Sequence, residues 1–466
     1  MGVQGLILND AIKKAGYSGE HIATEDRKIK VRILSLAILG FLLSVKSDRY
    51  FPLPEQLPEP LFQLFLIPYT CLFFAAFIIF IKPEIPGEAV SFLDHVSAIR
   101  VTTAIIVVFE AMALILLVVQ NIRFASFGYH LNIPLTAILF TLTGIALVFL
   151  LVRDVRSDIL VYFALAAYTG TYLLSIISFP LNPQRSDMLP LMVSGVQSFL
   201  SGVTPYGYHS IPQYQIFTYL PGMWMAYLPA VAFSADPRFI NLGCIVVSTL
   251  ILAYCVRGPR KLTLLLLPVF ILTPYLQYRH DMYLGVLFLV LSIVFALCSR
   301  NRWLLSSVAA GYALSVYQFT WVLFPFGVIA ASRRWGVKKA GIGLLTSVAL
   351  ALIIILPFFL TAPVDFIRGI YGNWLYIDTP TVNLFYFLSL LVPWNLMVVI
   401  QGIVLAIILA VALRKMDPVD CWGWMAAALV LFIALNRVIN QYFYLIVLFL
   451  LVLHGISTGT APETTD

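Results

Sequence analysis

The sequence predicts an all-α fold: a polytopic transmembrane helical bundle of about 12–14 spans, with one large outer loop bearing juxtamembrane helices. Three observations predict it. Hydrophobic residues fill 61% of the 466 positions and charged residues only 11%, against about a quarter charged in soluble globular domains. Mean hydropathy is +0.95, carried by apolar blocks such as 101–119, 133–152 and 341–360, each near the roughly 20 residues that cross hydrocarbon. These blocks are continuous rather than alternating in ten-residue runs, which speaks against a β-barrel. Disordered, collagenous and disulfide-scaffold classes are excluded on the same composition.

Taken in order, residues 1–30 carry Lys13, Lys14, Arg27 and Lys28 without a small-residue cleavage site, so they are expected to be a retained cytoplasmic segment. Expected spans are 31–45, 62–81, 101–120 and 133–152, an accessory set within 31–158. A second module, 159–456, holds spans at 159–180, 239–256, 262–277, 281–298, 303–317, 319–332, 341–361, 383–413, 421–435 and 441–456, followed by a cytoplasmic tail at 457–466. Between them, 181–238 differs in kind. Pro190, Pro205, Pro212, Pro221 and Pro229 interrupt its apolar stretches at 189–200 and 217–233, and neither reads as a clean span.

Charge decides how that segment is threaded, because inner loops carry the excess of Lys and Arg. If 217–233 crossed, Arg257, Arg260 and Lys261 and the cluster Arg333, Arg334, Lys338 and Lys339 would all face outward. Keeping 181–238 outside places 21 of the 29 Lys and Arg in inner segments and eight outside. Both termini are then cytoplasmic. The same scatter of cations argues against nucleic acid as a partner despite the net charge of +7, since no long basic run exists. The five cysteines have no CxxC spacing and read as packing residues.

In that orientation the scarce polar residues gather on one face: Arg185, Asp187, Tyr206, His209, Arg279, His280, Asp281, Asp365, Arg368, Asp378, Asn436, Arg437 and Gln441. Asp187 opens the large loop, placed either as a general base for an acceptor hydroxyl or as the N-cap of an interfacial helix. Arg279-His280-Asp281 is squeezed between two spans, an expensive placement unless solvated or used. Asp281 and His280 are suited to orienting a hydroxyl. Two ligands are too few to specify a metal, so none is assigned, and a divalent cation at His280 and Asp281 stays open. Arg437, in a tight turn, and Arg368 each present a fork that suits phosphate, with snorkelling to lipid headgroups as the alternative. Glu110 lies inside an expected span and receives no role. Walker, GxGxxG, GxSxG and HExxH motifs are missing, which disfavours nucleotide-driven pumps and zincins.

The order of these residues resembles the polytopic GT-C glycosyltransferases, which use polyprenyl-phosphate sugars. Asp187, then Gly202-Val203-Thr204-Pro205-Tyr206, then Phe217-Thr218-Tyr219-Leu220-Pro221 is similar to their acidic residue, G-x-x-P-Y and aromatic–x–Pro sequence. Asn436-Arg437 with Gln441-Tyr442-Phe443 resembles the N-K-V-x-x-x-Q-Y-F segment of GPI mannosyltransferase I catalytic subunits, and G-x-x-P-Y is similar to that of bacterial and archaeal polyprenol-dependent mannosyl- and arabinosyltransferases. The likeness covers about 159–456. A D-x-D or E-x-D pair is absent at both acidic positions, and the first four spans fall outside the likeness.

The resemblance implies transfer of a sugar, mannose by analogy, from a polyprenyl-phosphate donor to a glycan or glycolipid hydroxyl, with inversion, on the extracytoplasmic face of the plasma membrane, or of the ER membrane in a eukaryote. It makes Asp187 the catalytic base and Asp281 the second acid. Arg279, Arg368 and Arg437 would meet the donor phosphate. Arg185, Tyr206, His209, Tyr219, His280, Trp374, Asn436, Gln441 and Tyr442 would bind substrate, the aromatic residues by stacking on sugar faces. Membrane lipids are the remaining expected partner. The rival class is a secondary transporter or lipid-linked-sugar flippase, which requires polar residues at mid-membrane depth on several helices.

Overall fold

The computed structural model describes residues 27–35, 37–39, 71–86, 100–101, 104–105, 138, 142, 145–146, 157–183, 188–212, 216–256, 261–264, 283–372, 392–436 and 443–457. These residues form an all-α structure. Among them there is no strand, only one isolated antiparallel bridge between Tyr208 and Ile216. From residue 157 onward the helices are α1 (Ser157–Ser178), α2 (Met188–Leu200), α3 (Pro221–Met225), α4 (Leu228–Ala232), α5 (Arg238–Cys255) and α6 (Lys261–Leu264). They continue as α7 (Gly285–Ser299), α8 (Trp303–Val316), α9 (Phe319–Trp335), α10 (Val337–Thr361), α11 (Pro363–Ile367), α12 (Trp394–Lys415), α13 (Cys421–Ala434) and α14 (Tyr444–Ser457).

Among the described residues four helical stretches, Ile159–Ser178, Arg238–Cys255, Val337–Thr361 and Leu396–Lys415, are long and apolar enough to cross a membrane. The expected spans at 281–298, 303–317, 421–435 and 441–456 are present as α7, α8, α13 and α14, but each of these helices has only 14 or 15 residues. The expected spans at 101–120, 133–152 and 262–277 lie almost wholly outside the described residues.

Packing follows residue size. α14 is apolar all round and buried from Leu445 to Ser457, so it fills the centre against α13. α8 and α10 approach most closely where side chains are small: a Cβ on Gly311 would lie 2.6 Å from the Ser347 carbonyl oxygen, and the Ser347 hydroxyl donates to the Ser307 carbonyl at 2.7 Å. α9 ends and α10 begins at Gly336, whose φ of +86° turns the chain back in a conformation that costs glycine little.

Contacts at the helix termini sort the bundle into two ends. At one, Arg300 lies over the Tyr254 ring, Trp335 Nε1 donates to Asn301 Oδ1, Arg333 donates to the Leu413 and Met416 carbonyls, and Ser457 Oγ donates to the Val419 carbonyl. This basic end gathers Arg300, Arg302, Arg333, Arg334, Lys338, Lys339, Arg414 and Lys415. At the opposite end meet the last turns of α1, α8 and α10 and the first turns of α5, α7 and α9, joined by tyrosine and phenylalanine rings. Successive long helices therefore run antiparallel.

The segment from 180 to 237 begins and ends at the aromatic end. Arg238, at the start of α5, is 2% exposed and donates to the carbonyls of Phe179 and Ile176 at the end of α1, the latter at 3.1 Å, while Asp236 Oδ2 accepts from Nη2 at 2.6 Å. One guanidinium thus clamps the exit of α1 to the entrance of α5. Within the segment α3 and α4 have five residues each, about 7.5 Å of helix apiece, too short to cross. Each starts with proline in its first turn, where the missing N–H is no loss, and Ala226-Tyr227 separates them.

Candidate functional site at the aromatic end

α2 ends in a turn closed by Gly202 at φ +78°, with Val203 N–H donating to the Ser198 carbonyl at 2.9 Å, a six-to-one bond that only a left-handed residue at this position allows. The chain then runs through Pro205 to Tyr206. His209 holds this hairpin. Its Nε2 donates to the Pro205 carbonyl at 2.8 Å, which leaves Nδ1 to accept from the Ser194 hydroxyl at 2.8 Å in the neutral tautomer. Both ring nitrogens of His209 are engaged within the protein, so it braces the G-x-x-P-Y turn against α2.

Tyr206 is 2% exposed, and its hydroxyl donates to the Tyr219 carbonyl at 2.9 Å. Its ring packs on Phe366 at 4.6 Å and Phe217 at 5.5 Å between centroids. Burial pushes its phenol well above the usual tyrosine range, so it stays neutral and acts as a donor. Tyr219 packs on Phe217 and on Tyr283, the last at 5.1 Å, and Tyr283 continues to Tyr317, hydroxyl to hydroxyl at 3.3 Å. Tyr317 and Phe319 reach Phe443, the residue that opens the approach to α14. The faces of Tyr206 and Tyr219 expected to stack on a sugar are therefore covered by protein rings: these tyrosines belong to the packed core at this end.

Two glycines make the slot for Phe217. A Cβ on Gly195 would meet the Phe217 ring at 2.1 Å, and one on Gly369 would meet the Phe217 carbonyl oxygen at 2.1 Å. The second contact is with backbone, which cannot rotate away. Gly369→Ala is accordingly expected to cost about 1–3 kcal/mol through overpacking, read as a lowered Tm of the purified chain, with Gly402→Ala, which meets nothing within 4 Å, as the neutral control.

Arg368 follows α11 and pairs with Asp365 at 3.6 Å, both roughly half-exposed. Asn436 follows the end of α13, partly buried. Asp187, Asp281, Arg185, Arg279, His280, Trp374, Arg437, Gln441 and Tyr442 lie outside the described residues. Among their described sequence neighbours, Tyr283 precedes α7 and Asn436 and Phe443 flank 437–442 at this end, while Met188 opens α2. Among the described residues no group of three or more His, Cys, Asp or Glu side chains is placed to hold a metal ion.

Residues absent from the sequence-level candidates also shape this end. Asn241 Oδ1 accepts from the Tyr227 hydroxyl at 2.8 Å and the Gly285 N–H at 3.3 Å, tying α4, α5 and α7 together. Gln318 Nε2 donates to the Thr218 carbonyl at 3.0 Å, and the Tyr312 hydroxyl donates to the Gly222 carbonyl at 2.9 Å. Tyr208 and Tyr371, 68% and 51% exposed, present aromatic surface that the buried tyrosines do not. No known protein family and no curated protein sequence matches this chain.

Proposed function

We propose that this chain is a GT-C-like, integral-membrane inverting glycosyltransferase that moves a sugar from a polyprenyl-phosphate donor to a glycan or glycolipid hydroxyl. The observation that carries the reading is the Arg238 clamp: it supports a loop that leaves the bundle and returns on one side, where a lipid-anchored donor is met without a nucleotide-binding domain. A polytopic membrane placement is supported by the outward apolar faces of α10 and α12, where Leu345, Ile353 and Ile407 are 72%, 70% and 58% exposed. The cations gathered at the basic end support a cytoplasmic position for it, and an extracytoplasmic one for the site.

In this reading Asp187 takes the proton of the acceptor hydroxyl as its oxygen attacks the anomeric carbon, and the donor phosphate leaves from the opposite face, so configuration inverts. Asp281 and His280 position the acceptor. Arg437, with Arg279 and Arg368, holds the negative charge that builds on the departing phosphate. Arg368 is available for this because a surface pair such as Asp365–Arg368 is worth only about 0–1 kcal/mol, less than a phosphate oxygen offers. The test is to incubate the purified chain with a panel of polyprenyl-phosphate sugars and a hydroxyl acceptor. Transfer from one donor with release of polyprenyl phosphate is expected; no transfer from any donor or acceptor of the panel counts against the proposal.

A further inference from the structure

Between α7, α8, α9, α10 and α13 runs a cleft with an empty volume of about 790 Å³ including its open mouth, lined by residues such as Leu291, Ala310, Leu323, Gly327, Gly343 and Met425. Its few hydroxyls are turned into the protein. Ser306 meets Cys298, Ser307 donates to the Trp303 carbonyl, Ser347 to the Ser307 carbonyl, and Thr320 to the Tyr317 carbonyl. What remains is a hydrocarbon wall, suited to an aliphatic chain and unsuited to a sugar.

The cleft reaches the basic end at Trp303, Trp335 and Lys339, and the Arg334 guanidinium lies 5.6 Å over the Trp335 ring. Arg334, Lys338 and Lys339 are exposed, and among the described residues no carboxylate pairs with them. Between Asp281 and Asp365 the sequence contains six Lys and Arg and no acid at all. The acids at this end, Asp417 and Asp420, lie in the link between α12 and α13 and make no ion pair with Arg334, Lys338 or Lys339 among the described residues. An apolar slot beneath an exposed cationic rim with tryptophans at its edge complements one kind of molecule, an amphiphile with an anionic head. The donor of the proposed reaction is a poor fit, because its phosphate belongs at the opposite end of the bundle.

We propose that this cleft is a binding site for an anionic phospholipid of the bilayer leaflet at the basic end, with one acyl chain between α8 and α9 and its phosphate on Arg334 and Lys339. The inference rests on the membrane reading above. The experiment uses the full chain in nanodiscs of mixed phosphatidylglycerol and phosphatidylcholine, followed by native mass spectrometry of the lipids retained after detergent release. The wild type is expected to retain phosphatidylglycerol at least tenfold in preference. Arg334→Ala/Lys339→Ala, on exposed positions, is expected to lose that preference. Gly327→Leu, whose Cβ would meet the Met425 methyl at 3.4 Å and whose remaining carbons extend the side chain on this lining position, is expected to fill the slot and lose the lipid of either class. Undiminished preference in the double variant, or undiminished lipid in Gly327→Leu, overturns the proposal alone. A chain that stays out of the nanodisc overturns the membrane reading and this site with it.

Discussion

Asp187→Asn is expected to lower the rate of glycosyl transfer by about 10²–10⁴-fold, with the thermal melt and the affinity for donor unchanged. The substitution keeps the shape and the acceptor oxygen of the side chain and removes only its basicity. The loss should fall on kcat, because the proton leaves the acceptor hydroxyl only as the new bond forms. Single-turnover measurements with preloaded donor separate this outcome from a binding defect. A residual rate within twofold of wild type removes Asp187 from the base role, and a loss confined to KM makes it a binding residue.

Arg238→Ala carries the largest expected effect on the fold, a destabilisation of about 3–5 kcal/mol. Three acceptors depend on this guanidinium: the Asp236 carboxylate, the Ile176 carbonyl in the last turn of α1 and the Phe179 carbonyl just after it. Truncation leaves all three without it and opens the closure of the 180–237 segment. Asp236→Ala is expected to cost less, since Arg238 keeps both carbonyls. The check is Tm and protease sensitivity of the two variants in the same detergent. Equal melting of Arg238→Ala and wild type contradicts the clamp.

Much of the architecture was legible beforehand because it follows from local rules. The prolines of 217–233 speak against a clean span there, and α3 and α4 begin at Pro221 and one residue before Pro229; 189–200, despite Pro190, forms one continuous helix, α2. Expected boundaries at 303–317 and 319–332 fall within three residues of α8 and α9. The short lengths of α7, α8, α13 and α14 also follow the expected spans at 281–298, 303–317, 421–435 and 441–456 to within four residues at each end.

For the candidate residues that are described, residue type did not announce side-chain direction. Tyr206 and Tyr219 are expected from the resemblance to stack on sugar faces, yet both rings are buried. Their inward orientation depends on ring partners distant in sequence, Phe366 against Tyr206 and Tyr283 against Tyr219, with Phe217 packed between the two tyrosines. Arg238 was one of eight outer cations in the charge tally. Nothing local to it announces acceptors 59 and 62 positions upstream. His209 carried the chemistry of a ligand-binding residue, and its two short bonds to Ser194 and Pro205 give it a bracing role instead.

The central claim is that the acids and guanidiniums of the proposed site share one side of the membrane, opposite the basic end. Single cysteines placed at 187, 281, 365 and 338, in a chain without its five native cysteines, test it with a membrane-impermeant maleimide on sealed, oriented vesicles. The account predicts labelling of 187, 281 and 365 from the extracytoplasmic side and of 338 only after the vesicles are opened. Labelling of 187 and 281 from opposite faces would contradict it outright.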